Sequence, residues 1–356
     1  MRERSCLSWP SYNVRVLIRS VISLLLLVGP LVPEVRAQSG RHQAADSLKL
    51  EAGGELLARA GYEPSEFVVR VAADDPADEA ESPWVARFPS PRPDDQTGEQ
   101  VNTVVLEWFP AQPEDSTPQK SPAVLVLHTL DRRLFMSRGV ARVLAREGIH
   151  AFVMHFPGYG LRQYDRYRAL GDRFFDRSAQ TIADARRARD AIAALPAVDP
   201  SRISIHGTSL GGFYATAAAS IDDAFEHTFI FMAGADLYGV LTRGVREAAW
   251  VRESLERNGV TDDRLRKLCE PLDPARTANR LDPARTWLYS AQADQVVPAD
   301  SARALAQAIG LDEEHHTWLS GDHYAALLHL PWIAERMAEV IGECHAPHAT
   351  PAGKKP

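Results

Sequence analysis

A serine in a glycine-rich turn is the first candidate for chemistry in this sequence. Residues 201–219 read SRISIHGTSLGGFYATAAA, where an alternating apolar run ends in GTSLGG and a run of small residues follows. A G-x-S-x-G pattern between a strand and a helix is typical of a nucleophilic serine, here Ser209. Glycine and serine are also the residues of ordinary turns, so the motif alone does not separate the two interpretations.

Two further residues could activate this serine. A serine hydroxyl is a weak nucleophile at neutral pH and needs an adjacent base, which a third group must orient. Asp294 in AQADQVVPAD and His323 in SGDHYAALL each follow an apolar run later in the chain. The chain order serine, aspartate, histidine, with each residue at the carboxyl end of a predicted parallel strand, is the order that such a triad needs on this kind of sheet. We therefore predict Ser209 as nucleophile, His323 as general base and Asp294 as the orienting acid.

Alternating strands and helices must position these three residues. Apolar runs at 123–128, 150–156, 202–207, 228–235, 286–293 and 315–320 predict buried strands, and helical spacing is present at 137–148, 181–196, 301–310 and 330–343. Near-continuous apolar strands that alternate with helices predict a parallel sheet covered on both faces. Earlier runs at 67–72, 83–91 and 102–111 are separated by acidic, proline-containing loops, which predicts an antiparallel start to the sheet.

Residues 237–285 interrupt the alternation. They contain at least two helical patches and no predicted strand. An insertion between two strands is well placed to act as a small lid, but a helical excursion packed away from any site fits the sequence as well. Within it LDPAR occurs at 272–276 and again at 281–285, and each copy is interpreted as a turn that opens a short helix.

The amino terminus resembles a targeting segment. Arginines precede the apolar stretch VISLLLLVGPLV at 21–32, and VRA at 35–37 is a small-residue cleavage pattern. We predict a signal peptide over 1–37, with Ala37 the last residue removed, and a secreted or periplasmic product. A membrane anchor is the alternative, but an apolar run of about twelve residues is shorter than the roughly twenty of a spanning helix. No stable membrane span is expected after cleavage.

Composition bounds the remaining possibilities. The chain has 356 residues, 45% of them hydrophobic, which is enough for a substantial core. The formal net charge is −7 and no long basic run is present, so nucleic acid is not expected as a partner. No Cys/His spacing indicates a metal site. Cys6 would leave with the signal peptide, and an exported compartment would permit Cys269 and Cys344 to pair, although two free thiols are equally consistent.

From about residue 100 to residue 343 the chain resembles the α/β-hydrolase family. AVDPSRISIHGTSLGG is similar to the elbow region of its dienelactone-hydrolase-like and prolyl-oligopeptidase-like branches, and ADQVVP and GDHY are similar to their acid and histidine turns. The resemblance implies a mostly parallel central sheet with antiparallel N-terminal strands and helices on both faces. The helical insertion would lie between strands that end near residue 236 and start near residue 286. No cofactor or metal is implied.

This resemblance also implies the boundaries of the domain and favours one of two candidate residues for the catalytic acid. Residues 38–120 would form a leader and the first strands, 121–343 the catalytic core and 344–356 a loose tail. Asp236 in MAGADLYG is an alternative acid, because some relatives use that position. The V-V-P that follows Asp294 fits the acid loop of the family and favours Asp294.

The oxyanion hole departs from the common form of the family. Two backbone N–H donors are required, and Leu210, next to the nucleophile, is expected to supply one. The loop that often carries glycine reads HTLDRR at 128–133, where Leu130 is expected to supply the second donor, with Thr129 as the alternative. Tyr159 in FPGYG and Thr129 are candidates for lining the substrate pocket.

These observations predict an exported serine hydrolase that cleaves a carboxylic ester through an acyl-enzyme. The expected substrate is a small-molecule or carbohydrate-linked ester, and the sequence does not indicate an oligomeric state. A peptidase of the prolyl-oligopeptidase type is an alternative, but residues 38–120 are too short for the propeller that usually precedes such a domain. A hydrolase fold kept only for binding is a third possibility, against which the intact serine, aspartate and histidine argue.

Overall fold

The computed structural model describes residues 34–38, 54–73, 84–112, 120–131, 133–163 and 173–343. Most of the predicted signal peptide, up to residue 33, and the predicted tail at 344–356 lie outside the described residues, as does Cys344. Within the described ranges, no helix combines the length and the apolar character needed to cross a bilayer.

Ten strands of the described chain form one sheet. They are β1 Glu34–Gln38, β2 Glu66–Ala73, β3 Trp84–Pro89, β4 Thr103–Phe109, β5 Ser121–Leu127, β6 His150–His155, β7 Val198–Thr208, β8 Thr228–Phe231, β9 Thr286–Ala291 and β10 His316–Leu319. Their order across the sheet is β1-β2-β3-β4-β6-β5-β7-β8-β9-β10. Strands β1 to β4 pair antiparallel, as do β4 and β6, and all pairs from β6 to β10 are parallel. The predicted parallel sheet with antiparallel N-terminal strands is confirmed.

Helices cover both faces of this sheet. They are α1 Gly54–Ala60, α2 Glu99–Asn102, α3 Phe135–Arg146, α4 Arg173–Ala193, α5 Leu210–Ile221, α6 Leu237–Arg243, α7 Glu247–Arg257, α8 Asp262–Cys269, α9 Ala299–Ile309, α10 His323–Leu327 and α11 Leu330–Glu343. Two apolar layers result, one with α1, α4, α5 and α9, the other with α3 and α11. Leu125 of β5 lies in the first layer and its neighbours Val124 and Val126 in the second, as expected for a strand buried on both faces.

One helix begins earlier than predicted. The spacing predicts a helix over 181–196, whereas α4 spans Arg173–Ala193. Its first turns contain buried polar side chains that interrupt the apolar stripe from which the prediction was made. Ser178, for example, is hydrogen-bonded to the hydroxyl of Tyr214 at 2.8 Å. Strand β8 is shorter than the predicted 228–235, because Met232 adopts a φ of 52° and turns the chain away from the sheet.

The insertion at 237–285 is helical, as predicted. It comprises α6, α7, α8 and four 3₁₀ turns, and no strand lies within its described residues. Both LDPAR copies form such turns, because the Asp273 and Asp282 carboxylates accept the backbone N–H groups of Ala275 and Ala284. Its predicted role as a lid stays a prediction.

Strand β1 contains the predicted signal-cleavage position. Residues 34–38 pair antiparallel with β2, and Ala37 is buried in the layer that also contains Leu56. Glu34 accepts a hydrogen bond from Arg70 at 2.8 Å. Cleavage after Ala37 would therefore remove four of the five residues of this edge strand. Export and the position of cleavage stay predictions.

Three buried histidines are expected to make stability depend on pH. Burial lowers the pKa of His128 to about 3 and the pKa values of His150 and His206 to about 4. The unfolded chain binds these protons near pH 6.5, so below that pH it binds more protons than the folded state. The free energy of unfolding should fall as the pH drops from about 6.5 toward 4, by up to ~1.4 kcal/mol per pH unit for each histidine. Urea unfolding at about pH 7.5 and pH 5 measures this, and equal midpoints would refute it.

Candidate active site

Ser209 lies between β7 and α5 on a strained turn. Its φ of 53° and ψ of −115° are values that residues other than glycine rarely adopt, at a cost of about 1–3 kcal/mol. A β-carbon on Gly207 would overlap the carbonyl oxygen of Gly211, and one on Gly211 would overlap that of Leu127. The two glycines therefore permit the sharp turn that presents Ser209 at the carboxyl edge of the sheet.

The turns that carry the other two predicted residues lie at the same edge. Strands β7, β8, β9 and β10 are parallel neighbours, so their carboxyl ends meet there. The Ser209 N–H donates to the carbonyl of Phe231 at the end of β8, at 2.7 Å. Asp294 follows β9 and His323 follows β10. The topology thus brings the predicted nucleophile, acid and base to one edge from three separate strands.

Asp294 and His323 are in direct contact. The His323 Nδ1–H donates to Asp294 Oδ2 at 2.6 Å, and the His323 and Asp294 side chains are 7% and 3% exposed. The other oxygen, Oδ1, accepts the backbone N–H groups of Val296 and Val297 at 2.8 and 2.9 Å, which fixes the carboxylate. Because Nδ1 carries the donated proton, the neutral imidazole keeps a lone pair on Nε2 that can accept a proton from a hydroxyl.

The alternative acid, Asp236, is engaged elsewhere. Its carboxylate accepts the N–H of Gly239 at 2.9 Å and forms an ion pair with Arg243 at 3.0 Å, with half of its side chain exposed. The structure therefore brings Asp294 to His323 and leaves Asp236 to cap α6.

The two predicted oxyanion donors have N–H groups available. Leu210 is the first residue of α5, so its N–H has no partner within the helix. The N–H of Leu130 donates to no other backbone group of the described chain. The His128 Nδ1–H donates to the carbonyl oxygen of Thr129 at 2.5 Å. Since the C=O and N–H of a trans peptide point in opposite directions, this bond also sets the direction of the Leu130 N–H.

His128 is itself held on its other side. Its Nε2 accepts the N–H of Phe156 at 3.2 Å, and its ring stacks on the Phe156 ring with centroids 3.7 Å apart. Burial lowers the pKa of His128 to about 3, so the ring stays neutral with its proton on Nδ1. The Tyr159 ring lies 5.0 Å from the His128 ring, next to the loop that carries Thr129. Lining of the pocket by Tyr159 and Thr129 stays a prediction.

A buried carboxylate holds the far end of this loop. Glu107 accepts hydrogen bonds from Arg138 at 2.5 and 2.7 Å and from His155 at 3.0 Å. Burial alone would raise the pKa of Glu107, but these hydrogen bonds outweigh it and lower the pKa to about 2. Arg138 also donates to the backbone carbonyl of Arg133, and the backbone N–H of Arg133 donates to the Asp131 carboxylate. Side-chain hydrogen bonds thus fix a loop that lacks the glycines common at this position.

A comparison with known protein families identifies the family of this chain. The sequence profile of the prolyl oligopeptidase family matches residues 135–321, which is more than half of the chain. The chain belongs to the prolyl oligopeptidase family. Its fold is the α/β-hydrolase fold. No curated protein sequence matches it.

Solved structures resemble this family member in fold. An acetyl xylan esterase from Paenibacillus sp. R4 has 17% sequence identity and a TM-score of 0.57, over 82% of this chain and 92% of that one. A puromycin-hydrolyzing peptidase of Mycobacterium tuberculosis has 18% identity and a TM-score of 0.52, over 78% of this chain. The present chain spans only 45% of the length of that peptidase. At such identities the likeness shows the α/β-hydrolase fold alone.

The sequence did not predict the contacts that fix the loops of the candidate site. His128 was noted only as the start of an unusual loop, and its contact with Phe156 joins positions 28 residues apart. A histidine directly after a buried strand was the available signal. The contact of Tyr324 with Glu247, 77 residues away, has no signal in the sequence. Within the described ranges no cluster of histidine, cysteine or acidic side chains is arranged to hold a metal ion.

Replacement of His128 by alanine in this prolyl oligopeptidase family member is expected to lower kcat about 10²-fold with little change in KM. The bond to Thr129 orients the N–H of Leu130, the predicted oxyanion donor, so its loss is expected to act on the chemical step. Steady-state kinetics of ester hydrolysis measures kcat and KM separately. His150→Asn is the control, because His150 is buried at the start of β6, away from the carboxyl edge. A rise in KM without a fall in kcat would refute this role.

Proposed function

We propose that this chain is an exported serine esterase that works through an acyl-enzyme on Ser209. The observation that carries the proposal is the 2.6 Å contact of His323 with Asp294 at the edge where the strained turn presents Ser209. Neither a binding protein nor an ordinary turn requires a buried aspartate and histidine in contact at the same edge of the sheet as such a serine. The proposed substrate is a small-molecule or carbohydrate-linked ester.

The proposed mechanism uses each group once in acylation and once in deacylation. Ser209 attacks the ester carbonyl while His323 Nε2 accepts its proton, and Asp294 stabilises the imidazolium that forms. The N–H groups of Leu210 and Leu130 receive the developing oxyanion. His323 then returns the proton to the leaving alcohol. Water repeats the sequence on the acyl-enzyme, which releases the acid and restores Ser209.

A peptidase of the prolyl-oligopeptidase type is the second candidate, because the family match favours it. The same groups could cleave an amide, with the leaving amine in place of the alcohol. Against it stands the region before β5, whose described residues contribute strands β1 to β4 to the catalytic sheet. Because these residues form part of the sheet itself, we favour the esterase.

Turnover of matched substrates separates the two candidates. We expect p-nitrophenyl esters of graded acyl length to be hydrolysed with a higher kcat/KM than a peptide p-nitroanilide. The Ser209→Ala variant is the control for background hydrolysis. Cleavage of the anilide without ester turnover would establish the peptidase. A folded protein that cleaves neither substrate would overturn the proposal.

A further inference from the structure

The turn between α6 and α7 contacts the loop that carries the acid. The Val245 N–H donates to the carbonyl of Gln295 at 2.9 Å. A β-carbon on Gly244 would overlap the carbonyl oxygen of Val296, so the two backbones lie in close contact. Val296 is one of the two residues whose N–H groups fix the Asp294 carboxylate. The insertion thus packs on the peptide groups that orient the acid.

The same turn contacts the residue that follows the base. The Tyr324 hydroxyl donates to the Glu247 carboxylate at 2.6 Å, and the Arg246 guanidinium lies 4.5 Å from the centre of the Tyr324 ring. The Tyr324 and His323 rings meet in a T-shaped arrangement, with ring centroids 5.8 Å apart. Tyr324 is therefore held between the insertion and the catalytic histidine.

The backbone of this turn is strained. Arg246 has a φ of 53° and a ψ of −111°, close to the values of Ser209 on the nucleophile turn. Strain of about 1–3 kcal/mol persists only where the surrounding contacts enforce it. Here the enforcing contacts are those of Val245 with the acid loop and of Arg246 and Glu247 with Tyr324.

The histidine turn depends on such support. His323 opens α10, a helix of five residues, which is too short to be stable by itself. Asp322 caps this helix by accepting the N–H groups of Tyr324 and Ala325. A bond from the insertion to Tyr324 therefore fixes the element that carries the base.

We propose that Glu247 and Tyr324 are positioning residues that hold His323 in its productive orientation relative to Asp294. Residues 244–247 contact both the loop that carries Asp294 and the turn that carries His323, and so connect the two. The proposal rests on the proposed function, since it assigns His323 as the base. It also gives the insertion a role different from that of a mobile lid, because opening would break both sets of contacts.

Removal of one hydroxyl tests this role. Tyr324→Phe is expected to lower kcat for p-nitrophenyl acetate about 10- to 100-fold, the size expected when a catalytic group is misplaced by about 1 Å, with KM nearly unchanged. Glu247→Gln keeps an acceptor oxygen for the Tyr324 hydroxyl and should retain more activity than Glu247→Ala. The kcat values are compared per folded protein, so that a difference in stability does not enter the ranking.

A matched control lies in the same insertion. The Tyr238 hydroxyl donates to Asp262 at 2.6 Å, which reproduces the chemistry of the Tyr324 bond between α6 and α8, neither of which contains Glu247 or Tyr324. Tyr238→Phe should leave kcat within about twofold of the wild type. Equal losses in the Tyr238 and Tyr324 variants, or a Tyr324→Phe enzyme with wild-type kcat, would overturn the proposal.

The labelling rate of Ser209 by a fluorophosphonate separates this inference from the proposed function. If the wild type is labelled and Tyr324→Phe is labelled at least about tenfold more slowly, the positioning role stands whatever the natural substrate. If both are labelled equally fast, the positioning role fails while the assignment of Ser209 survives. A folded wild type that neither hydrolyses esters nor takes up the label would remove the proposed function, and this inference with it.

Discussion

Replacement of Ser209 by alanine is expected to reduce kcat for ester hydrolysis by about 10⁶-fold while changing KM little. The hydroxyl is the group that forms the acyl-enzyme, and neighbouring catalytic groups cannot act without it. Alanine has the same β-carbon as serine, so it tolerates the φ of 53° as well as serine does and the turn should keep its shape. Steady-state kinetics on a p-nitrophenyl ester, with the unfolding midpoint of each protein, measures the effect.

Ser204→Ala is the matched control for this prediction. Ser204 lies on the same strand, β7, where its buried hydroxyl is hydrogen-bonded to His227 at 3.3 Å. Its loss should cost some stability and leave kcat nearly unchanged. A Ser209→Ala enzyme that keeps more than about one hundredth of the wild-type kcat would show that another residue is the nucleophile.

The second large effect is expected from Asp294→Asn, with kcat lowered about 10⁴-fold. Asparagine fits the site of the carboxylate, but its amide group can donate a hydrogen bond to His323 Nδ1. That contact favours the tautomer with the proton on Nε2, which then cannot accept a proton from Ser209. The measurement is kcat for a p-nitrophenyl ester, compared with the wild type in the same buffer.

Asp236→Asn is the control that decides between the two acids. Asp236 is half exposed and paired with Arg243, so its neutralisation is expected to change kcat less than about threefold. If Asp236→Asn lowered kcat more than Asp294→Asn does, Asp236 would be the catalytic acid instead of Asp294.

The elements that local sequence determines could be predicted. Apolar runs of six to eight residues marked the buried strands, because both faces of a parallel sheet exclude water. The glycines around Ser209 marked the turn, because a side chain at either position would overlap the backbone. The valines that favoured Asp294 over Asp236 in the sequence are those whose N–H groups bind the Asp294 carboxylate, and the role of Asp294 as the acid stays a prediction.

What could not be predicted depends on contacts between distant parts of the chain. The start of α4 was hidden because its polar residues are buried against partners such as Tyr214. Pairing of β1 with β2 was masked by the signal-peptide pattern that overlaps it. The bond between Glu247 and Tyr324 has no local pattern, since neither residue type is unusual on a helix surface.

The central claim is that Ser209 is the residue acylated during turnover. Mass spectrometry of the protein treated with a fluorophosphonate and then digested tests it directly. We predict a single adduct on the peptide that contains Ser209, absent from the Ser209→Ala variant. A folded wild-type protein without an adduct, or with its adduct on another residue, would contradict the account.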